Sequence, residues 1–304
     1  MAKGKQRSRI INEAVTLPQR PHITTGAAIK MSVLYTNNNG KMVAAESAVV
    51  PAGNGAFRYG ISLFETMLVQ DGKIRLAAYH WERLFAGIDQ LQFRLPPRCT
   101  AGTLEAEVLK TVQKNQMTGL CRVRLQVYAD GGSIFGMEDG TMQYLIQCYP
   151  VDAAAIVLNE NGLVAGIAVG LHKSDDSLSH LKTGNALVYA MAARQARQNK
   201  WNDALVCNTA NRIAESSIGN VFVVRDGQIY TPPLEEGCVA GVMRRHLLAS
   251  HSGIVEQPIT REALMAADEV FITNAIKGIK WVGRIGDRVY THKVAAALYA
   301  GVFG

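Results

Sequence analysis

The stretch "IAESSIGNVFVVRDGQIYTPPLEEGCVAGVMRR" (residues 213–245) places an acidic residue, Glu215, inside a short apolar run. A hairpin and a helix start follow it. "NVFVVRDGQIYT" (220–231) reads as two strands turned at Asp226-Gly227, a pair suited to the positive φ angles of a tight hairpin. "GVMRRHLLASHSG" (241–253) reads as a helix entered at Gly241. "ESSIG" (215–219) is not a serine nucleophile elbow, because glutamate stands where the first glycine is needed.

Upstream, "SLSHLKTGNALVYAMAARQARQNK" (177–200) sets Lys182 in a Gly/Asn-punctuated turn before an Ala-rich helix over 186–199, with Asn185 placed as its cap. A solvated surface lysine and an amine held in a cleft for covalent chemistry are the two readings of Lys182. "GIAVGL" (166–171), "DALVCNT" (203–209), "EVFITNA" (269–275) and "KWVGRIGDRVY" (280–290) are strand-like, and a helix ends the chain.

The first half reads as antiparallel sheet with two helices. "MSVLYTNNNGKMV" from Met31 is strand, turn, strand, and "SLFETMLVQDGKIRL" (62–76) is a hairpin turned at Asp71-Gly72. "AYHWERLFAGIDQLQF" (78–93) spaces Trp81, Leu84, Phe85, Ile88 and Leu91 on one helical face, and residues 100–116 form a second helix. "CRVRLQVYA" (121–129) and "MQYLIQCYP" (142–150) alternate as strands. Pro150 and "VDAAA" make a hinge. The expectation is an α+β fold: a basic, disordered extension over 1–30, a smaller domain over 31–150 and a larger one over 156–304.

The formal charge of +7 is unevenly placed. Residues 1–30 hold six Lys/Arg against Glu13 alone, leaving 26 Lys/Arg and 24 Asp/Glu in the remainder. That near-balance argues against a nucleic-acid binder, and no apolar run is long enough for a membrane span. Five scattered cysteines without Cys-x-x-Cys suggest neither a disulfide framework nor a zinc site, so no metal is expected and the cytoplasm is the expected compartment. Neither a phosphate loop nor a dinucleotide fingerprint occurs.

Four segments taken together, "HWERL" (80–84), "LKTGN" (181–185), the 213–245 run and "EVFITNAIKG" (269–278), resemble the class IV aminotransferases, the fold-type IV family of pyridoxal phosphate enzymes. The resemblance spans roughly residues 33–290. It implies a two-domain fold with pyridoxal 5′-phosphate at the domain interface and Lys182 as the catalytic residue that holds it covalently. It implies further that Glu215 faces the pyridine nitrogen, and that Arg83, Gly241, Val242 and Asn274 contact the cofactor's phosphate region. Asn220 and Ser217 are expected to bond backbone around Glu215. An amine with this task must be largely unprotonated, which burial and nearby cations favour. A guanidinium and free helix N–H groups both suit a phosphate.

Within the family, "TNAIKG", the short Lys-x-x-Asn spacing and "LFETM" resemble 4-amino-4-deoxychorismate lyase, which releases 4-aminobenzoate and pyruvate. The alternative is an aminotransferase acting on branched-chain or D-amino acids with 2-oxoglutarate, and a non-catalytic cofactor-binding homologue is a third reading. "YADGG" (128–132) lacks the Arg-Gly that many lyases carry after this strand. Arg122 and Arg124 share one strand face by alternation. Arg124 is the expected contact to a small-molecule substrate's carboxylate, with Thr66 near the leaving group. The resemblance also implies a homodimer, with loop 130–140 reaching the partner's cleft.

Overall fold

The computed structural model describes residues 35–47, 49–131 and 140–303. The 1–30 extension and residues 132–139 of the 130–140 loop lie outside the described residues. The fold is α+β and contains two sheets.

The first sheet comprises β1 (Tyr35–Asn38), β2 (Lys41–Ala44), β3 (Ser62–Gln70), β4 (Lys73–Ile74), β5 (Cys121–Asp130) and β6 (Thr141–Pro150). Its order is β2-β1-β6-β5-β3-β4, antiparallel throughout. Helices α1 (Gly55–Tyr59), α2 (Ala77–Gln90) and α3 (Ala101–Lys114) belong to this half. The Asp71-Gly72 turn has positive φ at both residues, 50° and 73°. That is the geometry whose twist matches paired strands. Thr100 caps α3 reciprocally with Thr103.

The second sheet is mixed. Its strands are β7 (Leu163–Lys173), β8 (Asp203–Asn208), β9 (Ile213–Ser216), β10 (Asn220–Arg225), β11 (Gln228–Thr231), β12 (Ile254–Glu256), β13 (Glu269–Asn274), β14 (Gly278–Ile285) and β15 (Arg288–Val289). They run β12-β11-β10-β13-β14-β7-β8-β9, with β15 beside β14. Around them lie α4 (Leu187–Gln198), α5 (Val242–Ser250), α6 (Arg261–Ala266) and α7 (Lys293–Phe303). Asp226-Gly227 turns the β10–β11 hairpin, and Gly241 is the N-cap of α5, both as the sequence implies.

Alternation along the strands separates the two faces of each sheet. In the first, Met67, Val123, Val127 and Ile146 pack against Leu84 and Ile88 of α2 and Leu104 and Val108 of α3. The second is buried on both sides. Val221, Val270 and Ile272 meet Leu264 and Tyr290 on one face, and Phe222 and Phe271 meet Met243, Leu247 and Leu298 on the other. Such double burial explains the nearly continuous apolar runs of β8 and β10. Ala192 and Ala196 bring α4 close to Ala204 and Val206 of β8.

One local expectation fails. Ala186, not Asn185, is the N-cap of α4, and it makes no side-chain cap bond. Residues just before the helix are instead committed to β3 through backbone pairing, described below. The β12 strand and α6 helix had no clear periodic signal because each is under two helical turns long. Among the described residues no helix is long and apolar enough to cross a membrane.

Phe222 and Phe271 are fully buried and stacked, with ring centroids 4.9 Å apart. Phe222→Ala should therefore destabilise the protein by about 3–5 kcal/mol, read as a lowered denaturation midpoint with an unchanged denaturant slope.

Candidate active site

Strand β3 presents functional side chains on both of its faces. Leu63, Glu65 and Met67 point into the core, whereas Phe64 and Thr66 point to the opposite face. The β3–β5 register puts Gln126 beside Phe64 and Arg124 beside Thr66. Arg124 stacks its guanidinium 3.8 Å from the Phe64 ring centroid and bonds Gln126 Oε1 through Nε and Nη2, at 3.2 and 2.9 Å. Among the described residues it has no carboxylate partner. Burial, and to a lesser degree repulsion from Arg122, draw it below the usual guanidinium range.

Lys182 reaches the same ring from the second half of the chain. The 182–184 segment is strapped to the free edge of β3: the Phe64 N–H donates to Lys182 O at 2.9 Å, and the Gly184 N–H donates to Ser62 O at 2.7 Å. β4 covers only Val69 and Gln70 of this edge, so residues 62–64 are open to the strap. Gly184 is required, since a Cβ there would lie 2.1 Å from Ser62 Oγ. The Lys182 ammonium sits 4.4 Å from the Phe64 centroid. Burial, then Arg83 and Arg124, lower its pKa from 10.5 to about 8 against the opposing pull of Glu65 and Glu215. At physiological pH roughly one-fifth of the amine is then unprotonated, against roughly one-thousandth at the ordinary value.

Arg83, on α2, grips Glu65 through Nε (2.8 Å) and Nη2 (2.5 Å). Its Nη1 donates to Ala240 O at 2.9 Å, immediately before the start of α5. His80 Nδ1 lies 2.6 Å from Glu65 Oε2. Burial would raise the Glu65 carboxyl, but the Arg83 charge and the His80 and Arg83 hydrogen bonds more than offset it, and its pKa falls to about 2.

Glu215, on β9, is buried. Its Oε1 accepts from Tyr189 Oη at 2.6 Å and lies 3.3 Å from Lys173 Nζ, while Oε2 accepts from the Val239 N–H at 3.1 Å. Asn220 donates from Nδ2 to Val239 O at 2.8 Å and packs so tightly under Gly241 that a Cβ there would meet Asn220 Oδ1 at 1.8 Å. That close approach aims the unpaired N–H groups of the first turn of α5, from Val242 onward, out of the helix start. Asn274 Oδ1 accepts from the N–H groups of Ile276 and Lys277, closing a turn whose outer carbonyls, Ala275 O and Ile276 O, are held by Arg75.

The expected residues thus fall into connected groups. Lys182, Arg124 and Thr66 gather around Phe64, while Arg83 reaches the peptide before Gly241 and Val242. Glu215 is tied by Val239 to the same loop. Asn220 bonds backbone as expected. Ser217 does not: its hydroxyl goes to Asp203 Oδ1 at 2.5 Å, because that buried carboxylate needs donors. Asn274 is committed to its own turn through Oδ1. Sequence reasoning passed over Glu65, His80, Lys173, Tyr189 and Arg75. Glu65 carried a usable signal, since it shares the inward parity of Leu63, Met67 and Val69; the others depend on contacts distant in sequence.

The donor set fits a phosphorylated aldehyde. Arg83 keeps guanidinium N–H groups beyond those engaged, the α5 N-terminus has free backbone donors, and Thr273 Oγ1, cross-strand from Asn220, is buried without a partner. Lys182 supplies the amine.

Acid stability isolates the Glu65 cluster. The folded-state pKa lies below the ordinary 4.5, so its stabilisation is complete above that value and is lost as pH falls toward about 2. Glu65→Gln should cost about 3 kcal/mol at neutral pH and flatten the acid limb of the stability profile; a variant within about 0.5 kcal/mol of wild type would contradict the assignment.

Comparison with known proteins identifies the family. Residues 62–285 match the family model described as amino-transferase class IV. An aminodeoxychorismate lyase from Vibrio harveyi is 27% identical over 241 residues, 78% of this chain and 87% of the relative. A branched-chain-amino-acid aminotransferase from Salmonella typhimurium is also 27% identical, over 246 residues, 77% of this chain and 79% of the relative. The crystal structure of the branched-chain aminotransferase from Thermoproteus uzoniensis with norvaline superposes with a TM-score of 0.80 at 25% identity, covering 88% of this chain and 93% of that one. Class IV aminotransferases are pyridoxal phosphate enzymes. The chain belongs to the class IV aminotransferase family and is an enzyme of its aminotransferase or lyase type.

Proposed function

We propose that this chain binds pyridoxal 5′-phosphate through Lys182 and converts 4-amino-4-deoxychorismate to 4-aminobenzoate and pyruvate. The observation that carries the reading is the half-buried Lys182 amine, with its pKa lowered to about 8, on one aromatic ring with the Arg124 guanidinium, which has no carboxylate partner among the described residues. Asn274 followed by Ala275, in the lyase-like "TNAIKG" run, supports the lyase over the transaminase.

When bound, the cofactor supplies a conjugated ring that takes up the electron pair of a bond broken on the substrate. Everything else falls to the protein. Arg83 and the first N–H groups of α5, from Val242, hold the phosphate. Asn274 steadies the adjacent turn. Glu215 faces the ring nitrogen and keeps a proton there, which raises the ring's capacity to accept electrons. Arg124 orients a substrate carboxylate. Lys182 would take the proton from the substrate's ring carbon and return it to the methylene carbon of the enolpyruvyl group as that group's bond to the ring breaks, so that it leaves as pyruvate. Thr66 stands across from Arg124, on the side assigned to the leaving group. Phe64 limits water around the amine.

The site lies between a smaller domain ending at 150 and a larger one beginning at 156 in this reading, and the enzyme works as a cytoplasmic homodimer. A second reading, transfer of an amino group from glutamate to a branched 2-oxo acid, is supported by the Salmonella relative, whose identity equals that of the Vibrio lyase. Lys182 would then move its proton between the substrate carbon and the cofactor.

Product analysis separates the two. The pyridoxal phosphate-loaded enzyme should release pyruvate from 4-amino-4-deoxychorismate without accumulating pyridoxamine phosphate, and Lys182→Ala should abolish that release. Glutamate-dependent amination of 2-oxo acids alone would establish the second reading, and no turnover of either set would overturn both.

A further inference from the structure

Lys173 is a second buried lysine in the same region, and its bonding is unlike that of Lys182. At the end of β7, its ammonium donates to Ser179 O at 2.7 Å and to Gly237 O at 2.7 Å, and lies 3.3 Å from Glu215 Oε1. Two of the three N–H groups of the ammonium are therefore in hydrogen bonds, and its approach to Glu215 is an ion pair. The Tyr189 ring lies 5.4 Å away, and its hydroxyl donates to the same Glu215 oxygen at 2.6 Å. Burial first, then the Glu215 charge, push the Tyr189 phenol up, which keeps it a proton donor.

An ionised carboxylate offers about four acceptor positions, two on each oxygen. On Glu215, Oε1 accepts from Tyr189 and carries the ion pair with Lys173, and the Val239 N–H fills one position of Oε2. One acceptor position on Oε2 is left. The Coulombic attraction of Lys173 also offsets part of the cost of holding this charge in a buried site.

We infer that Lys173 and Tyr189 are positioning residues for Glu215: they hold Oε1 by an ion pair and a hydrogen bond and leave one Oε2 lone pair for the ring nitrogen of the cofactor. The same ammonium ties together the loop that ends in Lys182, through Ser179, and the loop that leads to α5, through Gly237. The inference rests on the proposed cofactor reading and extends it to residues that contact neither phosphate nor substrate.

The test is a titration of the apo-protein with pyridoxal 5′-phosphate, followed by tryptophan fluorescence and visible absorbance, for wild type, Lys173→Met, Tyr189→Phe, Glu215→Gln and the two double variants. Lys173→Met should weaken the dissociation constant about tenfold and Tyr189→Phe about threefold. Both should move the visible maximum in the direction that Glu215→Gln moves it. Adding either change to Glu215→Gln should weaken binding by less than about twofold, since both act through that carboxylate. Tyr189→Phe removes a single oxygen and keeps the test open if Lys173→Met does not fold. Wild-type binding with unshifted spectra in both single variants, or fully additive losses in the double variants, would overturn the positioning role alone. Failure of the wild-type protein to bind pyridoxal phosphate would overturn it together with the cofactor reading.

Discussion

Two backbone hydrogen bonds, from Phe64 N–H to Lys182 O and from Gly184 N–H to Ser62 O, are the constraint on which the site depends. They join a loop from the second half of the chain to the open edge of a strand from the first. Without them Lys182 would be a turn lysine with no reason to leave water. With them its amine is held over Phe64, beside Arg124, where a full positive charge is poorly solvated. The strap is possible because β4 is only two residues long and because residue 184 has no side chain to collide with Ser62.

Charge placement follows from this geometry. Arg83 lowers the proton affinity of Lys182, yet Glu65 opposes it from the core side of the same strand. The Glu65–Arg83 pair is therefore structural and electrostatic at once. It anchors α2 to β3, and it turns the Arg83 Nη1 group toward Ala240 at the mouth of α5. Glu215 is held from the opposite side by Tyr189, Lys173 and Val239. Two buried carboxylates thus have different neighbourhoods: one neutralised by a bidentate arginine in the core, the other left with a free acceptor position. Separation of environment is how similar side chains take distinct tasks.

What was legible in the sequence was local or motif-bound. Asp71-Gly72 and Asp226-Gly227 announce their turns because positive φ is a property of those residues in place. Gly241 marks the entry to α5, and the spacing of Trp81, Leu84 and Ile88 marks the buried face of α2. Glu65 was readable from strand parity, as a charge in an inward position, though only the fold reveals that Arg83 and His80 answer it. Asn185 misled because capping preference is a local rule, and here the strap to β3 decides the backbone before the helix starts. Lys173 and Arg75 could not be read at all: each is defined by carbonyls from distant loops, at Gly237 in one case and at Ala275 and Ile276 in the other.

Lys173 and Lys182 contrast sharply, one an ammonium tied to two carbonyls and a carboxylate, the other an amine whose proton is weakly held. Reduction with borohydride after addition of pyridoxal 5′-phosphate to the apo-protein, followed by peptide mapping, reads that contrast directly. The account predicts a single pyridoxyl label on the peptide carrying Lys182. A label on Lys173 or on any other lysine, with Lys182 unmodified, would contradict it.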